Sequence, residues 1–210
     1  MNLKLVIVDD HGIVRQGIRL IIESEADMEV VGEADCAKDG LAIITAKKPD
    51  IAILDVNLPD QNGFDLLRDI KLTHPDLPVL FLTIHPEEIL AVRALQAGAK
   101  GYLCKDSSSD ELVKALRKLA GGGVYVSTSL SEILARDVSG QREKLPHERL
   151  SDREYQVLCL FASGKSVGQI AKALDRSPNT ISTLRKRILD KMDMKNNSEL
   201  AHYAINNQLI

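Results

Sequence analysis

The stretch Ile51-Ala-Ile-Leu-Asp-Val-Asn-Leu-Pro59 joins a short apolar run to an aspartate. A run of four apolar residues that ends in polar and turn-forming residues is typical of a strand buried on both faces. Similar runs occur on both sides of it, and longer segments with helical periodicity separate them. The predicted strands are Leu3–Val8, Met28–Ala34, Ile51–Leu54, Val79–Leu82 and Gly101–Cys104.

An amphipathic segment follows each predicted strand. The last of these segments opens with Ser108 and has Glu111 three positions later, which is the pattern of a capping box. The predicted helices are Gly12–Ser24, Ala37–Lys48, Phe64–His74, Glu87–Ala97 and Ser109–Ala120. This alternation predicts an α/β fold, a (βα)5 doubly wound parallel sheet, in which ligands bind at the carboxyl ends of the strands.

Polar residues follow four of the five predicted strands. Asp9 and Asp10 follow the first strand, Asp55 the third, Thr83 the fourth and Lys105 the fifth. Three carboxylates at one edge repel one another unless a cation neutralises them, and a few hard oxygen ligands suit Mg²⁺. An ammonium and a hydroxyl at the same edge suit a phosphoryl group, because they offset its charge and donate hydrogen bonds. The pattern predicts an aspartyl phosphate formed with the help of Mg²⁺.

Four motifs together resemble the receiver domain of two-component response regulators, and the whole chain resembles the NarL/FixJ class. The motifs are Val6-Ile-Val-Asp-Asp-His11, Ile53-Leu-Asp-Val-Asn-Leu-Pro59 with Gly63, Leu82-Thr83, and Ala97-Gly-Ala-Lys-Gly-Tyr-Leu-Cys-Lys105. The resemblance implies that Asp55 is the phosphoacceptor and that Asp10 binds Mg²⁺ directly. It also implies that Asp9 is a ligand or a water-mediated partner, and that Asn57 supplies a backbone carbonyl to the metal.

The same resemblance assigns the switch residues. Thr83 and Lys105 would contact the phosphoryl group, and the rotamer of Tyr102 would follow the movement of Thr83. The alternative for Tyr102 is an ordinary half-buried strand aromatic. His11 is expected to open the first helix beside the acidic pair rather than to serve as a phosphodonor or ligand.

The chain changes character after residue 120. Gly121-Gly-Gly123 precedes a strand-like Val124–Val126, an amphipathic Ser127–Val138 and a polar run that ends at Pro146. The formal net charge is −6 up to Pro146 and +3 beyond it. We predict a receiver at 1–120, a linker at 121–146 and a C-terminal domain at 147–210; a docked linker helix and a solvated connector both remain open.

The C-terminal region has the pattern of a helix-turn-helix. Ser151 and Glu154 form a capping box ahead of an apolar-periodic helix, which ends near Ser163-Gly164. A shorter helix follows, and the turn from Asp175 places Ser177 as N-cap and Pro178 at the first position of a third helix. The residues expected to face inward in this third helix are Ile181, Leu184, Ile188 and Met192.

The segments Leu150-Ser-Asp-Arg-Glu-Tyr-Gln-Val-Leu158 and Ile170-Ala-Lys-Ala-Leu-Asp-Arg-Ser-Pro-Asn-Thr-Ile181 resemble the LuxR-type helix-turn-helix, an all-α four-helix domain. The resemblance implies that the final helix, about Ser198 to Asn207, dimerises. Asn, Ser and Thr side chains suit base edges, and Lys and Arg suit phosphates. The predicted contacts to double-stranded DNA are Asn179, Thr180, Ser182, Thr183, Arg185, Lys186, Arg187 and Lys191.

We therefore expect a transcription regulator and not an enzyme. A sensor histidine kinase would phosphorylate Asp55, which would change homodimerisation or binding to operator DNA. The cytoplasm is the expected location, because the sequence has no signal-peptide layout and no long apolar run, and no membrane partner is expected. We expect the three cysteines to serve as small apolar side chains; they are Cys36, Cys104 and Cys159.

Two other classes of protein stay open at this point. One is a receiver-containing adaptor whose C-terminal domain binds protein. The other is a Mg²⁺-dependent phosphatase with an aspartyl-phosphate intermediate, although Asp55-Val-Asn57 lacks the second aspartate that such enzymes use as general acid.

Overall fold

The computed structural model describes residues 2–85, 87–138, 145–174, 176–207 and 209. They form two compact units, Met1–Ala135 and Arg136–Ile210. The predicted polar run at 139–144 lies outside the described residues, as does Asp175 of the predicted turn. None of the helices within the described part of the chain has both the length and the apolar character needed to cross a bilayer.

The first unit contains a five-stranded parallel sheet in the order β2-β1-β3-β4-β5. Its strands are β1 Leu3–Val8, β2 Met28–Ala34, β3 Ile51–Leu54, β4 Val79–Thr83 and β5 Gly101–Cys104. The strand order reverses between β1 and β3, whose last residues Val8 and Leu54 are paired. The predicted carboxylates that follow these two strands therefore meet at the switch point of the sheet, where such folds bind ligands.

Five helices cover the two faces of this sheet. They are α1 Gly12–Glu23, α2 Ala37–Lys47, α3 Gly63–Thr73, α4 Glu87–Gln96 and α5 Ser109–Ala120. Each predicted helix end lies within one residue of the observed one, so the (βα)5 prediction is confirmed. Fully buried aliphatic residues of the strands, such as Ile7, Ile53 and Leu80, form the core against α1 and α5.

The N-terminus of α2 is capped from outside the helix. Cys36 occupies the N-cap position without making a side-chain hydrogen bond. The carboxylate of Asp60, in the loop after β3, instead accepts hydrogen bonds from the backbone N–H groups of Ala37 at 2.8 Å and Lys38 at 2.9 Å. This negative charge at a helix N-terminus ties the loop after β3 to α2.

The segment after α5 differs in part from the sequence prediction. The strand predicted at Val124–Val126 is wrong, because among the described residues this segment pairs with no strand of the sheet. The backbone N–H of Tyr125 donates one hydrogen bond to the carbonyl of Lys100, at 2.8 Å. The amphipathic segment forms the helix α6, Thr128–Val138. Leu130 in its first turn is fully buried, which favours a docked start of this helix over a solvated connector.

The second unit is helical, as predicted. A 3-10 turn at Pro146–Arg149 precedes α7 Asp152–Ala162, α8 Val167–Ala173, α9 Pro178–Met192 and α10 Asn197–Asn206. Three of the predicted inward residues of α9 are buried, namely Ile181, Ile188 and Met192, and Leu184 is half-buried. α9 packs against α7 and α8, and α10 packs against α7. The pair α8–α9 forms the helix-turn-helix.

Candidate functional site

Carboxylates converge where β1 and β3 end. Asp9 and Asp55 are almost completely buried, at 2% and 3% exposure, and Asp10 lies at the rim. Potential ligand atoms of Asp9, Asp10, His11 and Asp55 all lie within 4.8 Å of one another. Buried carboxylates at this separation need a compensating cation, because each is costly to keep charged out of water.

Lys105 supplies part of that compensation. Its Nζ lies 2.6 Å from Oδ2 of Asp9 and 2.7 Å from Oδ2 of Asp55. Burial acts to lower the pKa of Lys105, but the hydrogen bonds to Asp55 and Asp9 raise it overall. The backbone N–H of Lys105 also donates to the carbonyl of Thr83 at 2.7 Å, which holds the ends of β4 and β5 together. The site thus has one fixed ammonium directed at the proposed phosphoacceptor.

The loop after β3 closes tightly over Asp55. Oδ1 of Asp55 accepts a hydrogen bond from the N–H of Val56 at 2.6 Å. The N–H of Gly63 donates to the carbonyl of Val56 at 2.8 Å, and a Cβ atom on Gly63 would lie only 2.2 Å from the backbone oxygen of Asp55. The absence of a side chain at Gly63 is therefore what allows α3 to begin directly against the backbone of Asp55.

Thr83 and Tyr102 differ in how their hydroxyls are used. The Oγ1 atom of Thr83 is buried and has no hydrogen-bond partner among the described residues. Tyr102 is fully buried, not half-buried, and its hydroxyl donates to the backbone carbonyl of His85 at 2.8 Å. A buried hydroxyl without a partner is energetically costly, so Thr83 is available to donate to a group that enters the site.

Two contacts near Asp55 were not expected from the sequence. The side-chain amide of Asn57 donates to Nε2 of His85 at 3.0 Å. Burial lowers the pKa of His85, against the opposing effect of the Asp55 charge, and a neutral ring can accept this hydrogen bond. His11 is the N-cap residue of α1, as predicted, and its Nδ1 also lies 2.6 Å from Oδ1 of Asp10. Sequence patterns carry no signal for these side-chain orientations.

Comparison with known proteins matches both units. Residues 5–117 match the family model of the response regulator receiver domain. Residues 148–204 match the model of the bacterial regulatory proteins of the luxR family. The chain is a response regulator. It combines a receiver with a LuxR-type DNA-binding domain, as the sequence predicted.

Similar response regulators align along nearly the whole chain. GacA of Pseudomonas aeruginosa is 34% identical over 209 residues, which are 99% of this chain and 98% of GacA. UvrY of Escherichia coli K12 is 32% identical over 208 residues, covering 99% of this chain and 95% of UvrY. RcsB of Salmonella enterica serovar Typhimurium, solved on promoter P1flhDC with the phosphomimetic BeF3⁻, has a TM-score of 0.75 and 32% identity over 97% of this chain and 98% of RcsB.

In this response regulator most of the predicted DNA-contacting residues lie exposed along α9. They are Asn179, Thr180, Ser182, Thr183, Lys186, Arg187 and Lys191. The hydroxyls of Thr180 and Thr183 already contact Ser177 Oγ and the Asn179 carbonyl, at 2.8 and 2.9 Å. Arg185 is half-buried, and its Nε donates to Oδ1 of Asn197 at 2.6 Å. Seven of the eight predicted residues are thus exposed on α9, and the eighth, Arg185, is held by α10.

Lys191 is engaged inside the same unit of the response regulator. Its Nζ lies 2.6 Å from Oε2 of Glu154, whose side chain is only 4% exposed. The same oxygen accepts the N–H of Ser151 at 2.7 Å, completing the predicted capping box of α7. Burial acts to raise the pKa of Glu154, but the bonds from Lys191 and Ser151 lower it overall. Lys191 thereby fastens the end of α9 to the start of α7.

We expect Lys191→Met to destabilise the second unit by about 1–2 kcal/mol, because it leaves the buried carboxylate of Glu154 without its cation. The loss is no larger because Lys191 is half-exposed, so that water already screens the ion pair. The pKa of Glu154 is lower in the folded protein than its usual 4.5. The stabilisation is therefore fully present above pH 4.5 and lost as the pH falls through the folded pKa. Native-state hydrogen exchange at the amides of α7 and α9 measures both effects in the full chain.

The control for this prediction is Lys186→Met, which removes an exposed lysine from the same helix. It should leave exchange in α7 and α9 unchanged. Equal protection in the two variants at neutral pH would show that the Lys191–Glu154 pair contributes nothing to stability.

Proposed function

We propose that Asp55 is the phosphoacceptor of this response regulator. The observation that carries the proposal is a buried Asp55 carboxylate held by the Lys105 ammonium, beside a strand that ends in Thr83, whose hydroxyl has no partner in the described part of the chain. A carboxylate oxygen of Asp55 would attack the phosphorus of a phosphohistidine, and the electron pair of the broken P–N bond would leave with the imidazole nitrogen. Lys105 and Thr83 would then contact the new phosphoryl oxygens, as a charge and as a hydrogen-bond donor.

We propose Mg²⁺ as the cofactor of this step. Asp9, Asp10, Asp55 and the backbone carbonyl of Asn57 would hold it, and their hard oxygen atoms fit this ion. When bound, Mg²⁺ supplies positive charge that offsets the incoming phosphoryl oxygens. Asp9 and Asp55 at present share one ammonium, so the carboxylate cluster retains negative charge for a cation.

The first test uses intact-mass measurement of the wild-type chain with acetyl phosphate. With Mg²⁺ we expect one added phosphoryl group, and with excess EDTA we expect uptake to slow by about 100-fold or more, because a metal ion contributes several kcal/mol to such a transition state. Adding Mg²⁺ at a concentration above that of the EDTA should restore uptake of the phosphoryl group. An equal rate in EDTA would contradict the metal assignment.

We propose that the phosphate acts through Thr83 and Tyr102. Thr83 would turn toward the phosphoryl group, and Tyr102 would follow into the space that it leaves, changing the surface around the face from α4 to α5. Homodimerisation or DNA binding would change as a result. Ile205, which is 61% exposed on α10, fits a dimer contact, and the similarity to a solved structure of two RcsB dimers on two DNAs supports dimerisation of this chain.

The proposed division is a receiver at 1–120, a linker at 121–146 and a DNA-binding domain at 147–210. A sensor histidine kinase in the cytoplasm would be the phosphodonor, and the protein would act as a regulator and not as an enzyme. α9 would enter the major groove with Asn179, Thr180, Ser182 and Thr183 toward base edges. Arg185, Lys186, Arg187 and Lys191 would contact phosphates, and a dimer would read half-sites about one helical turn apart.

Lys186 tests this orientation of α9. We expect Lys186→Ala to weaken binding to a short random-sequence duplex and to reduce the slope of log affinity against log salt by about 1, because one phosphate contact is lost. Lys47→Ala, which removes an exposed lysine from α2 of the receiver, should leave the slope unchanged. Equal slopes for wild type and Lys186→Ala would show that another face binds DNA. A reduced slope in Lys191→Met would add a DNA contact to the structural role of Lys191.

A further inference from the structure

One carboxylate ties the start of the linker helix to the receiver. Glu87 is the first residue of α4, and its Oε2 accepts hydrogen bonds from the hydroxyls of Ser127 and, at 2.7 Å, Ser129. Oγ of Ser127 also accepts the N–H of Leu130 at 3.0 Å, which caps α6. Hydrogen bonds to a charged acceptor are about twice as strong as those between neutral groups. The first turn of α6 is therefore held at the N-terminus of α4.

The residues just before this contact are also anchored on the receiver. The backbone N–H of Tyr125 donates to Lys100 at 2.8 Å, and its ring packs against the hydrophobic core. Gly101 makes room for this packing, because a Cβ atom there would lie 3.3 Å from Cβ of Tyr125. Burial raises the pKa of the Tyr125 phenol. This anchor does not involve α4, so it would persist if Glu87 moved.

The segment that leads into Glu87 begins at the phosphoacceptor site. It runs from Thr83, whose hydroxyl has no partner among the described residues, through Ile84 and His85. The carbonyl of His85 accepts the Tyr102 hydroxyl at 2.8 Å, and the carbonyl of Ile84 lies 3.7 Å from Sγ of Cys104. A displacement of Thr83 toward a phosphoryl group would break or redirect these contacts and shift the start of α4.

We propose that Glu87 is a latch that holds the start of α6 in the unphosphorylated protein and releases Ser127 and Ser129 when Asp55 is phosphorylated. This inference rests on the proposed phosphorylation of Asp55. Tyr125 remains the fixed point, and the chain beyond it becomes free to move. Phosphorylation at the sheet edge is thereby converted into freedom of the segment that leads to the DNA-binding unit.

The experiment is hydrogen exchange of the full-length chain, read at the amides of residues 128–134, with and without Mg²⁺ and acetyl phosphate. Intact mass records phosphate uptake in the same samples. Glu87→Ala removes both hydrogen bonds of the latch and Ser129→Ala removes one of them, and both variants keep the Ser127 cap. Ser131→Ala is the matched control, because the Ser131 hydroxyl bonds to the carbonyl of Ser127 at 2.9 Å and not to Glu87.

In the wild type, phosphate uptake should raise exchange at these amides about tenfold or more, the factor expected for loss of one charge-assisted hydrogen bond. Glu87→Ala and Ser129→Ala should show raised exchange without phosphate, and Ser131→Ala should behave as wild type. Unchanged exchange in a wild type that carries one phosphate would overturn the release, and wild-type exchange in both latch variants would overturn the latch itself. A wild type that takes up no phosphate would overturn the proposed function and the release, whereas the variants would still decide whether the latch holds α6.

Discussion

Asp55→Asn is expected to abolish phosphate uptake from acetyl phosphate and from a phosphorylated kinase. An amide oxygen is not an anionic nucleophile, so the rate should fall by about 10³-fold or more, below detection by intact mass. The asparagine amide nitrogen also cannot accept the bond that Lys105 now donates to Oδ2 at 2.7 Å. The substitution therefore removes the anionic nucleophile and leaves one acceptor oxygen for the two donors that Asp55 now serves, the N–H of Val56 and the ammonium of Lys105.

Asp60→Asn is the matched control for this prediction. It makes the same chemical change in the same loop, at an exposed residue that caps α2 and is bonded to Ala37 and Lys38. We expect uptake close to that of the wild type, with a loss of stability of about 1 kcal/mol or less. Light scattering on the same samples would show whether phosphate changes the oligomeric state. Phosphate on the Asp55→Asn chain at the wild-type level would place the acceptor elsewhere.

Gly63→Ala is expected to destabilise the receiver by about 3 kcal/mol or more. The added Cβ would meet the backbone oxygen of Asp55 at 2.2 Å and the Cα atom of Val56 at 3.0 Å. These are backbone atoms at the end of a central buried strand, so relief requires β3 and α3 to move apart. The same displacement shifts the Asp55 carboxylate away from Lys105, and phosphate uptake should fall together with stability. Urea denaturation and intact mass measure the two effects.

Gly17→Ala is the control for added volume at a glycine. It lies within α1, and a Cβ atom there would meet nothing within 4 Å. Alanine is the better helix former, so we expect this variant to be more stable by about 0.5–1 kcal/mol. If Gly63→Ala were as stable as the wild type, the close packing of α3 on the Asp55 backbone would be incorrect.

Sequence predictions agreed with the structure where they depended on residues that are close together along the chain. Apolar strands, helical periodicity and caps such as Ser151 with Glu154 involve residues within a few positions of one another, and these predictions agree with the structure. The convergence of Asp9, Asp55 and Lys105 was also predictable, because parallel strands place their carboxyl ends at one edge. The strand expected at Val124–Val126 failed because a strand needs a hydrogen-bonded partner strand, and within the described ranges the backbone of this segment donates one hydrogen bond toward the sheet, from Tyr125 to the carbonyl of Lys100.

Local sequence patterns were thus enough to predict the (βα)5 receiver, the helix-turn-helix and the residues placed at the sheet edge. The folded structure was needed to show which polar side chains already bind one another. Asp60 caps a helix 23 positions earlier, Glu154 binds Lys191 37 positions later, and Glu87 holds Ser127 40 positions later. Contacts of this kind join polar residues that are common throughout the chain, so no periodicity or motif marks them. They depend on the positions and orientations of whole helices, which packing sets only when the chain is folded.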